Sequence, residues 1–244
     1  MKKKICVLLL VSIVTTAGYC QKIKGWASYQ VSRDQIVTIQ ELFFEPRTSI
    51  FVKNNKATPP ETTPPTTLDQ FLKKGDDVAK DDYVFKDLKT NRMKSNEYLK
   101  NGTRVIVEDS IPNLAWKLHP DTKQIGGFKC QKATTTFRCA DYTGWFTMEV
   151  PVGAGPWKLG GLPGLILELR NENVMEVYTL TSLEYPTKKE MPSMPSVSQE
   201  KVYLSYKNFG KDQREEMRKL VVFLKSRADF PEGGEVRIDE RECY

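Results

Sequence analysis

Histidine is almost absent from this chain of 244 residues, in which His119 is the only one. A zinc site built on several histidines therefore cannot form, and a histidine-dependent catalytic triad would have to use this residue. His119 precedes Pro120 and Asp121 at the end of an expected strand, which favours a surface turn residue over a general base. We predict no metal site, no cofactor and no catalytic residue.

Long apolar runs are also missing, except at the N-terminus. Lysines at positions 2–4 precede an apolar run over residues 5–14, which is the layout of a secretory signal peptide. We predict a signal peptide over residues 1–20; acylation of Cys20 as a lipoprotein is less favoured, because Tyr19 precedes it. No later run reaches the roughly 18 apolar residues of a transmembrane helix, so we expect no such segment and a periplasmic or extracellular location.

The excess of positive charge is small. The formal net charge of +6 falls to +3 in the mature chain, because residues 1–20 carry three lysines and no acidic residue. The remaining charges are interspersed, without a basic stripe or an aromatic RNA-binding motif. Nucleic acid is therefore not an expected partner.

Cysteine is scarce, and the mature chain keeps Cys130, Cys139 and Cys243. Export would place them in an oxidising compartment, where a neighbouring pair is expected to be bridged. If Thr134 and Thr135 form the loop of a hairpin, Cys130 faces Cys139 on a rung where Cα atoms lie about 4.5 Å apart. We predict a Cys130–Cys139 disulfide; a longer loop with a shifted register, a bridge from Cys243 to either cysteine, and an intermolecular bridge stay open. A catalytic thiol is not favoured, since no basic residue that could activate it is near in sequence.

Strand signals dominate the sequence after residue 24. Short segments rich in β-branched and aromatic residues follow one another without helical periodicity between them, which indicates antiparallel pairing and not βαβ units. The predicted strands cover residues 25–53 (with a turn at 45–47), 83–85, 104–108, 114–118, 124–132, 137–150, 165–170 and 174–182.

One long helix is expected near the C-terminus, over residues 212–226, with Asp212 and Glu215 as a capping pair. Its apolar stripe should pack on the sheet and consists of Met217, Leu220, Val221 and Leu224. Residues 54–67 hold four prolines among threonines and read as an extended surface loop, followed by a short capped helix over 67–74. Because the piece before this loop is too small for its own core, we predict one domain over residues 21–244.

The most distinctive stretch is the hexapeptide Gly161-Leu162-Pro163-Gly164-Leu165-Ile166. Pro-Gly predicts a type II turn, in which Gly164 takes the positive φ, and a strand should begin at Leu165. No Gly-Lys-Ser/Thr follows and the chain leads into a strand, so a phosphate-binding loop is not favoured. We interpret the six residues as a structural turn and strand.

This hexapeptide resembles the motif for which the GLPGLI family of exported Bacteroidota proteins is named, a family with no assigned activity. Further family-like segments follow the same order over about residues 83–180: 107–109, 116–118, 122–126, 130–133, 145–146, 149–151 and 155–157. Residues 138–140 depart from the pattern, in which Gly and Arg usually follow the first Arg. The resemblance implies a curved antiparallel sheet, similar to a bowl-like N-terminal domain in one bacterial N-glycanase, and it transfers no glycanase site.

The expected fold class is therefore mainly β (α+β): a curved antiparallel sheet, bowl-like or half-barrel, with a C-terminal amphipathic helix packed on it. Four tryptophans could line a ligand cleft, namely Trp26, Trp116, Trp145 and Trp157. Three of the four lie in alternating strands, so positions in the core are the favoured interpretation. With a three-residue loop at 171–173, Glu168 would face Glu176, and two facing carboxylates could flank a glycosidic bond. A solvated sheet face is the favoured interpretation of this pair.

Three functions are compatible with the sequence. The preferred one is a non-enzymatic binding or accessory module of the cell envelope, with an apolar ligand, a glycan or a protein as its partner. The alternatives are a carboxylate-based hydrolase acting on glycans and a structural envelope protein that binds only other proteins. An enzyme is the less favoured interpretation, because no group of residues supports catalysis.

Overall fold

A computed structural model describes residues 23–33, 35–53, 82–99, 103–193 and 201–226, without the side chain of Leu224. Several predictions fall outside these residues: the signal peptide at 1–20, the proline-rich loop at 54–67, the short helix at 67–74, and Cys243.

The described residues form twelve strands and one helix. The strands are β1 (Gly25–Arg33), β2 (Ile36–Phe44), β3 (Thr48–Lys53), β4 (Asp82–Asp87), β5 (Arg92–Tyr98), β6 (Arg104–Ser110), β7 (Lys117–Ile125), β8 (Phe128–Phe137), β9 (Ala140–Thr147), β10 (Leu165–Asn171), β11 (Glu176–Glu184) and β12 (Lys201–Tyr203). The helix, α1, covers Tyr206–Lys225. The mainly β fold predicted from the sequence is confirmed.

All twelve strands belong to one curved sheet, in the order β12-β6-β5-β4-β3-β2-β1-β11-β10-β9-β8-β7. Neighbouring strands are antiparallel except β12, which pairs with β6 in parallel. The curvature brings distant strands together: Arg138, in the turn after β8, lies with its Cζ 3.4 Å from the centre of the Tyr206 ring at the start of α1. The hydrophobic core therefore lies inside the curl, where large side chains such as Tyr29, Phe51 and Phe146 are almost completely buried.

The hairpins of β7, β8 and β9 differ from those predicted. The strand expected over 124–132 is interrupted by the Gly126-Gly127 turn, where both φ angles are positive (56° and 87°). The turn expected at Thr134-Thr135 lies instead at Arg138-Cys139, which join Phe137 to its partner Ala140. Gly-Gly suits a two-residue hairpin turn, whereas Thr-Thr favours the interior of a strand. Local backbone preference therefore explains the first turn and the extended Thr134-Thr135, but not the turn at Arg138-Cys139.

The predicted Cys130–Cys139 disulfide is wrong. Cys130 has a free, buried thiol near the start of β8, where its cross-strand partner is Lys123. Cys139 lies in the turn beyond the other end of β8 and is disulfide-bonded. The extended chain from Cys130 to Phe137 alone spans about 23 Å, far beyond the reach of one bridge.

Helix α1 begins six residues before the predicted start at Asp212. Ser205 precedes its first turn, and the Ser205 hydroxyl oxygen accepts a hydrogen bond from the Asn208 N–H (3.2 Å), which is the contact of an N-cap residue. Asp212 instead pairs with Lys201 (2.9 Å) and accepts a hydrogen bond from the Tyr203 hydroxyl (2.6 Å). The helix packs against β6 and β12, and Val221 of the predicted stripe is buried.

Candidate functional site

The connection between β9 and β10, residues 148–164, folds into the interior of the curled sheet. Leu159 and Leu162 in this connection are buried, as are Leu165 and Ile166 at the start of β10. Backbone hydrogen bonds fix the fold of the connection, from Gly161 N to Gly153 O (2.8 Å) and from Ile166 N to Ala154 O (3.1 Å). The hexapeptide thus lies where the connection returns to the sheet.

Two glycines of the hexapeptide have different physical reasons to be glycine. Gly161 adopts a positive φ of 83°, with open space around the position of a Cβ atom. Gly164 has no positive φ, so the predicted type II turn is wrong at this position. A Cβ atom at Gly164 would lie 2.0 Å from the carbonyl oxygen of Thr147, so close approach of two backbones requires this glycine.

Two buried lysines attach the connection to the opposite part of the sheet. Lys86 of β4 donates a hydrogen bond from Nζ to the carbonyl oxygen of Leu159 (2.6 Å). Lys158 of the connection forms an ion pair with Glu97 of β5, with Nζ 2.5 Å from Oε1. The Trp116 indole N–H adds a hydrogen bond to the carbonyl oxygen of Gly160 (2.9 Å). These contacts join β4, β5 and the segment before β7 to one connection.

Burial controls the ionisation of these groups. It lowers the pKa of Lys86 to about 7, and it lowers the pKa of Lys158 to about 7 despite the attraction of Glu97. Burial opposes the ionisation of Glu97, but the Lys158 ammonium group and a hydrogen bond from Ser95 hold the pKa of this carboxyl group below its usual value. Both lysines are thus close to giving up their protons near neutral pH.

Tyr206, the first residue of α1, completes this polar cluster. Its hydroxyl group donates to Oε1 of Glu97 (2.9 Å) and contacts the Ser95 hydroxyl group. Its backbone N–H donates to Oδ2 of Asp109 (2.9 Å), so a β6 carboxylate caps the helix. Burial raises the pKa of Tyr206 well above its usual value, which keeps the phenol protonated as a donor.

A cleft of about 480 Å³ opens beside this cluster. It lies between the tip of the β8–β9 hairpin, the start of β5, and the segment that follows β6. The residues that line it are Met93, Asp109, Ser110, Pro112, Asn113, Leu114, Thr136, Phe137, Arg138 and Cys139. Hydrogen-bonding side chains and apolar side chains therefore share one concave surface, which is typical of a small-ligand site.

Arg138 stands between the cleft and the buried cluster. Its guanidinium group lies over the rings of Tyr206 (3.4 Å from Cζ to the ring centre) and Phe137 (4.8 Å). Arg138 and Cys139 both have positive φ angles, 51° and 56°, which are rare for residues other than glycine and asparagine. In the sequence, this position is marked only by its departure from the family pattern. Strained backbone beside a cleft is a recognised sign of a functional constraint.

The structure does not bring the predicted carboxylate pair together. Glu168 faces Thr179, and Glu176 faces Asn171, because the β10–β11 loop has four residues instead of three. The offset of three residues places the two glutamates on opposite faces of the sheet. Glu168 instead accepts hydrogen bonds from Lys123 at both oxygens (2.8 Å each).

The remaining candidate residues take structural positions. Nε2 of His119 lies 2.8 Å from the Thr134 hydroxyl oxygen, in a part of β7 where the register is interrupted. Burial raises the pKa of Cys130 to about 11, so its thiol stays protonated at neutral pH and is a poor nucleophile. Trp26 is buried and the other three tryptophans are partly buried against the core.

The described residues contain neither a metal-binding cluster nor a membrane-spanning helix. Within residues 23–226, leaving aside the segments not described, no group of three or more His, Cys, Asp or Glu side chains could hold a metal ion. In the same part of the chain, no helix has the length and apolarity needed to cross a membrane.

The sequence was compared with known families and proteins. A family model described as "N-glycanase peptide, N-terminal domain" matches residues 70–208, more than half of the chain. No curated protein matches the chain.

Solved structures also match part of the chain. Two structures of PNGF-II, in the P21 and C2 space groups, have 20% and 18% sequence identity to the chain, with TM-scores of 0.49 and 0.47. Each likeness covers 78% of this chain but only 34% and 32% of PNGF-II, so the chain spans about a third of that protein's length. A DUF1329 family protein from Desulfovibrio piger has 6% identity and a TM-score of 0.22, over 70% of this chain and 89% of its own.

Proposed function

The chain belongs to the family of the N-glycanase peptide N-terminal domain, and from this premise we propose that it is an exported, non-enzymatic module that binds a glycan. The cleft beside Arg138 carries the proposal, because it combines polar groups with an apolar wall. Sugars offer the matching chemistry, with hydroxyl groups around the ring and apolar C–H faces. Asn113 and Arg138 are the hydrogen-bonding groups, and Leu114 and Phe137 form the apolar wall.

A glycan fits this cleft better than a purely apolar ligand. Five of its ten lining residues have polar or charged side chains apart from cysteine: Asp109, Ser110, Asn113, Thr136 and Arg138. Asp109, Ser110 and Thr136 already have hydrogen-bond partners within the protein. A lipid would desolvate Asn113 and Arg138 without offering them a partner, which costs about 1–3 kcal/mol for each group. The family name refers to an N-glycanase, and a domain that holds a sugar for such an enzyme would use a cleft of this kind.

Binding without catalysis is proposed because the carboxylate pair suggested for a hydrolase is separated by the sheet. The test uses mature protein, residues 21–244, titrated with a panel of purified glycans in isothermal calorimetry. We expect saturable binding of at least one glycan class, and no change in its mass after prolonged incubation. Binding of none, or release of sugar from a glycopeptide, would contradict the proposal.

A variant localises the binding. Asn113→Ala should weaken the affinity for the glycan found, because it removes a hydrogen-bonding group of the cleft. Asn208→Ala is a matched control: Asn208 is exposed on α1 and does not line the cleft. Equal affinities for the two variants would place the glycan elsewhere on the protein.

We also propose that the hexapeptide at 161–166 marks the chain as a GLPGLI-type protein that is exported through its N-terminal signal. The supporting features are the basic and apolar segments at positions 2–14. N-terminal sequencing of the protein recovered from its own cells should begin at Gln21. An acylated Cys20 at the N-terminus would instead indicate a lipoprotein.

A further inference from the structure

We propose that the glycan bound in the cleft is acidic, and that Arg138 binds its carboxylate group. This inference rests on the proposed function and adds the chemical class of the ligand. Its basis is the electrostatic position of one side chain, a partly buried arginine that lines the cleft.

The charge of Arg138 is not neutralised by an acidic side chain. Among the residues that the structure describes, none forms an ion pair or a hydrogen bond with this guanidinium group, whose contacts are the rings of Tyr206 and Phe137. Three other buried or partly buried cations have acceptors: Lys158 has Glu97, Lys86 has the Leu159 carbonyl oxygen, and Lys123 has Glu168. Arg138 is thus the cation of this region that still has room for an anion.

The acidic groups near Arg138 are already occupied. Oδ2 of Asp109 accepts from the backbone N–H of Tyr206 (2.9 Å), and Oδ1 accepts from the N–H of Ser110 (2.7 Å). Glu97 accepts from Lys158 and from the Tyr206 hydroxyl group. Both carboxylates are therefore held by donors other than Arg138.

The turn geometry fixes the arginine in place. Stacking of the guanidinium plane on Tyr206 restricts the side chain, and the left-handed backbone at positions 138 and 139 fixes where it begins. A stacked guanidinium group keeps its N–H edge free, and this planar edge matches a carboxylate with two parallel hydrogen bonds. A uronic acid presents that group on a sugar ring.

The experiment compares two oligosaccharides that differ by one functional group. One tetrasaccharide contains glucuronic acid, and the other has glucose in its place, so a carboxylate replaces a hydroxymethyl group. Mature wild-type protein should bind the acidic form about tenfold more tightly at low salt, and the difference should shrink at high salt.

Variants test the role of Arg138 itself. Arg138→Gln should lower the affinity for the acidic tetrasaccharide to that for the neutral one. Arg138→Lys should keep part of the preference for the acidic form, because lysine keeps the charge without the planar edge. Arg170→Gln is the matched control, because Arg170 is partly buried on β10 and does not line the cleft. Thermal unfolding of each variant shows whether the fold is retained, and Arg138→Lys keeps the test informative if Arg138→Gln does not fold.

The outcomes separate the two proposals. Equal affinity of wild type for the acidic and the neutral tetrasaccharide, or an unchanged preference in a folded Arg138→Gln, overturns the acidic ligand and leaves glycan binding intact. Binding of no member of a broader glycan panel overturns the proposed function, and the acidic ligand falls with it.

Discussion

The hexapeptide at 161–166 makes a sharp prediction about stability, and Gly164→Ala is the change that tests it. An added Cβ atom would lie 2.0 Å from the carbonyl oxygen of Thr147 and 2.6 Å from its carbonyl carbon. Real Cβ atoms essentially never approach another heavy atom within 3.0 Å. One of the two backbones must therefore move by about 1 Å, and neither is a flexible side chain.

The cost follows from what that movement disturbs. Leu165 pairs with Thr147 across β9 and β10, and its N–H donates to the carbonyl oxygen of Val150 (3.0 Å). Overpacking of a closely packed interior costs about 1–3 kcal/mol, and a buried backbone hydrogen bond that is lost adds about 1–3 kcal/mol. We expect Gly164→Ala to lower the free energy of unfolding by about 3 kcal/mol or more, a large part of the stability of an ordinary domain.

Urea unfolding of the mature protein measures this loss, with Gly161→Ala as the matched control. Gly161 has a positive φ but open space around its Cβ position. Alanine there should cost only about 1–2 kcal/mol, the usual penalty for a left-handed residue. If Gly164→Ala unfolds at the same urea concentration as Gly161→Ala, or at a higher one, the close-approach argument is refuted.

Three further predictions concern buried groups. Lys86→Met removes an amine; burial lowers the pKa of this amine from the usual 10.5 to about 7. Below pH 7 the folded protein carries the full free-energy cost of a buried ammonium ion, and this cost disappears as the pH rises towards 10. In urea unfolding between pH 6 and pH 10, the wild type should therefore gain stability relative to Lys86→Met as the pH rises. The gain is about 1.4 kcal/mol for each pH unit in which the amine is charged in the unfolded chain but neutral in the folded one. A stability difference that does not change with pH would contradict this. Mass mapping of residues 21–244 without reductant should find Cys130 free and Cys139 joined to Cys243, the one other cysteine in that part of the sequence; a Cys130–Cys139 peptide would show that the register is wrong. Trp116→Phe removes an indole hydrogen bond to the β9–β10 connection and should cost about 1 kcal/mol in the same unfolding assay, whereas no loss would mean that water replaces this bond.

The strands were largely predictable from the sequence, because alternation and strand-forming residues act locally. β3, β4, β6 and β10 lie where the pattern indicated. β5 was missed, since its sequence, Arg-Met-Lys-Ser-Asn-Glu-Tyr, is mostly polar and buries Ser95 and Asn96 through neighbours distant in sequence. The three residues of β12 were missed for the same reason: its parallel pairing with β6 is a tertiary contact.

The hairpin errors have one physical origin. Treating Thr134-Thr135 as a turn gave the register that faced Cys130 with Cys139, so the wrong turn produced the wrong disulfide. The actual turn uses Arg138 and Cys139 in left-handed conformations, which neither residue prefers. A strained turn of this kind is stable only where surrounding contacts determine it, such as the stacking of Arg138 on Tyr206.

The cleft could not be predicted because it depends on how far the sheet curls. β6 and β8 are second and eleventh in the strand order, and a flat sheet would hold them about 40 Å apart. In the structure, Asp109 of β6 and Arg138 after β8 line the same cleft. The β9–β10 connection helps to maintain that curl, because it is bonded to β4 through Lys86 and to β5 through Lys158. Gly164 lies outside the cleft, yet Gly164→Ala should weaken glycan binding even at temperatures where the variant is still folded. An unchanged affinity would mean that the two ends of the sheet meet without help from the connection.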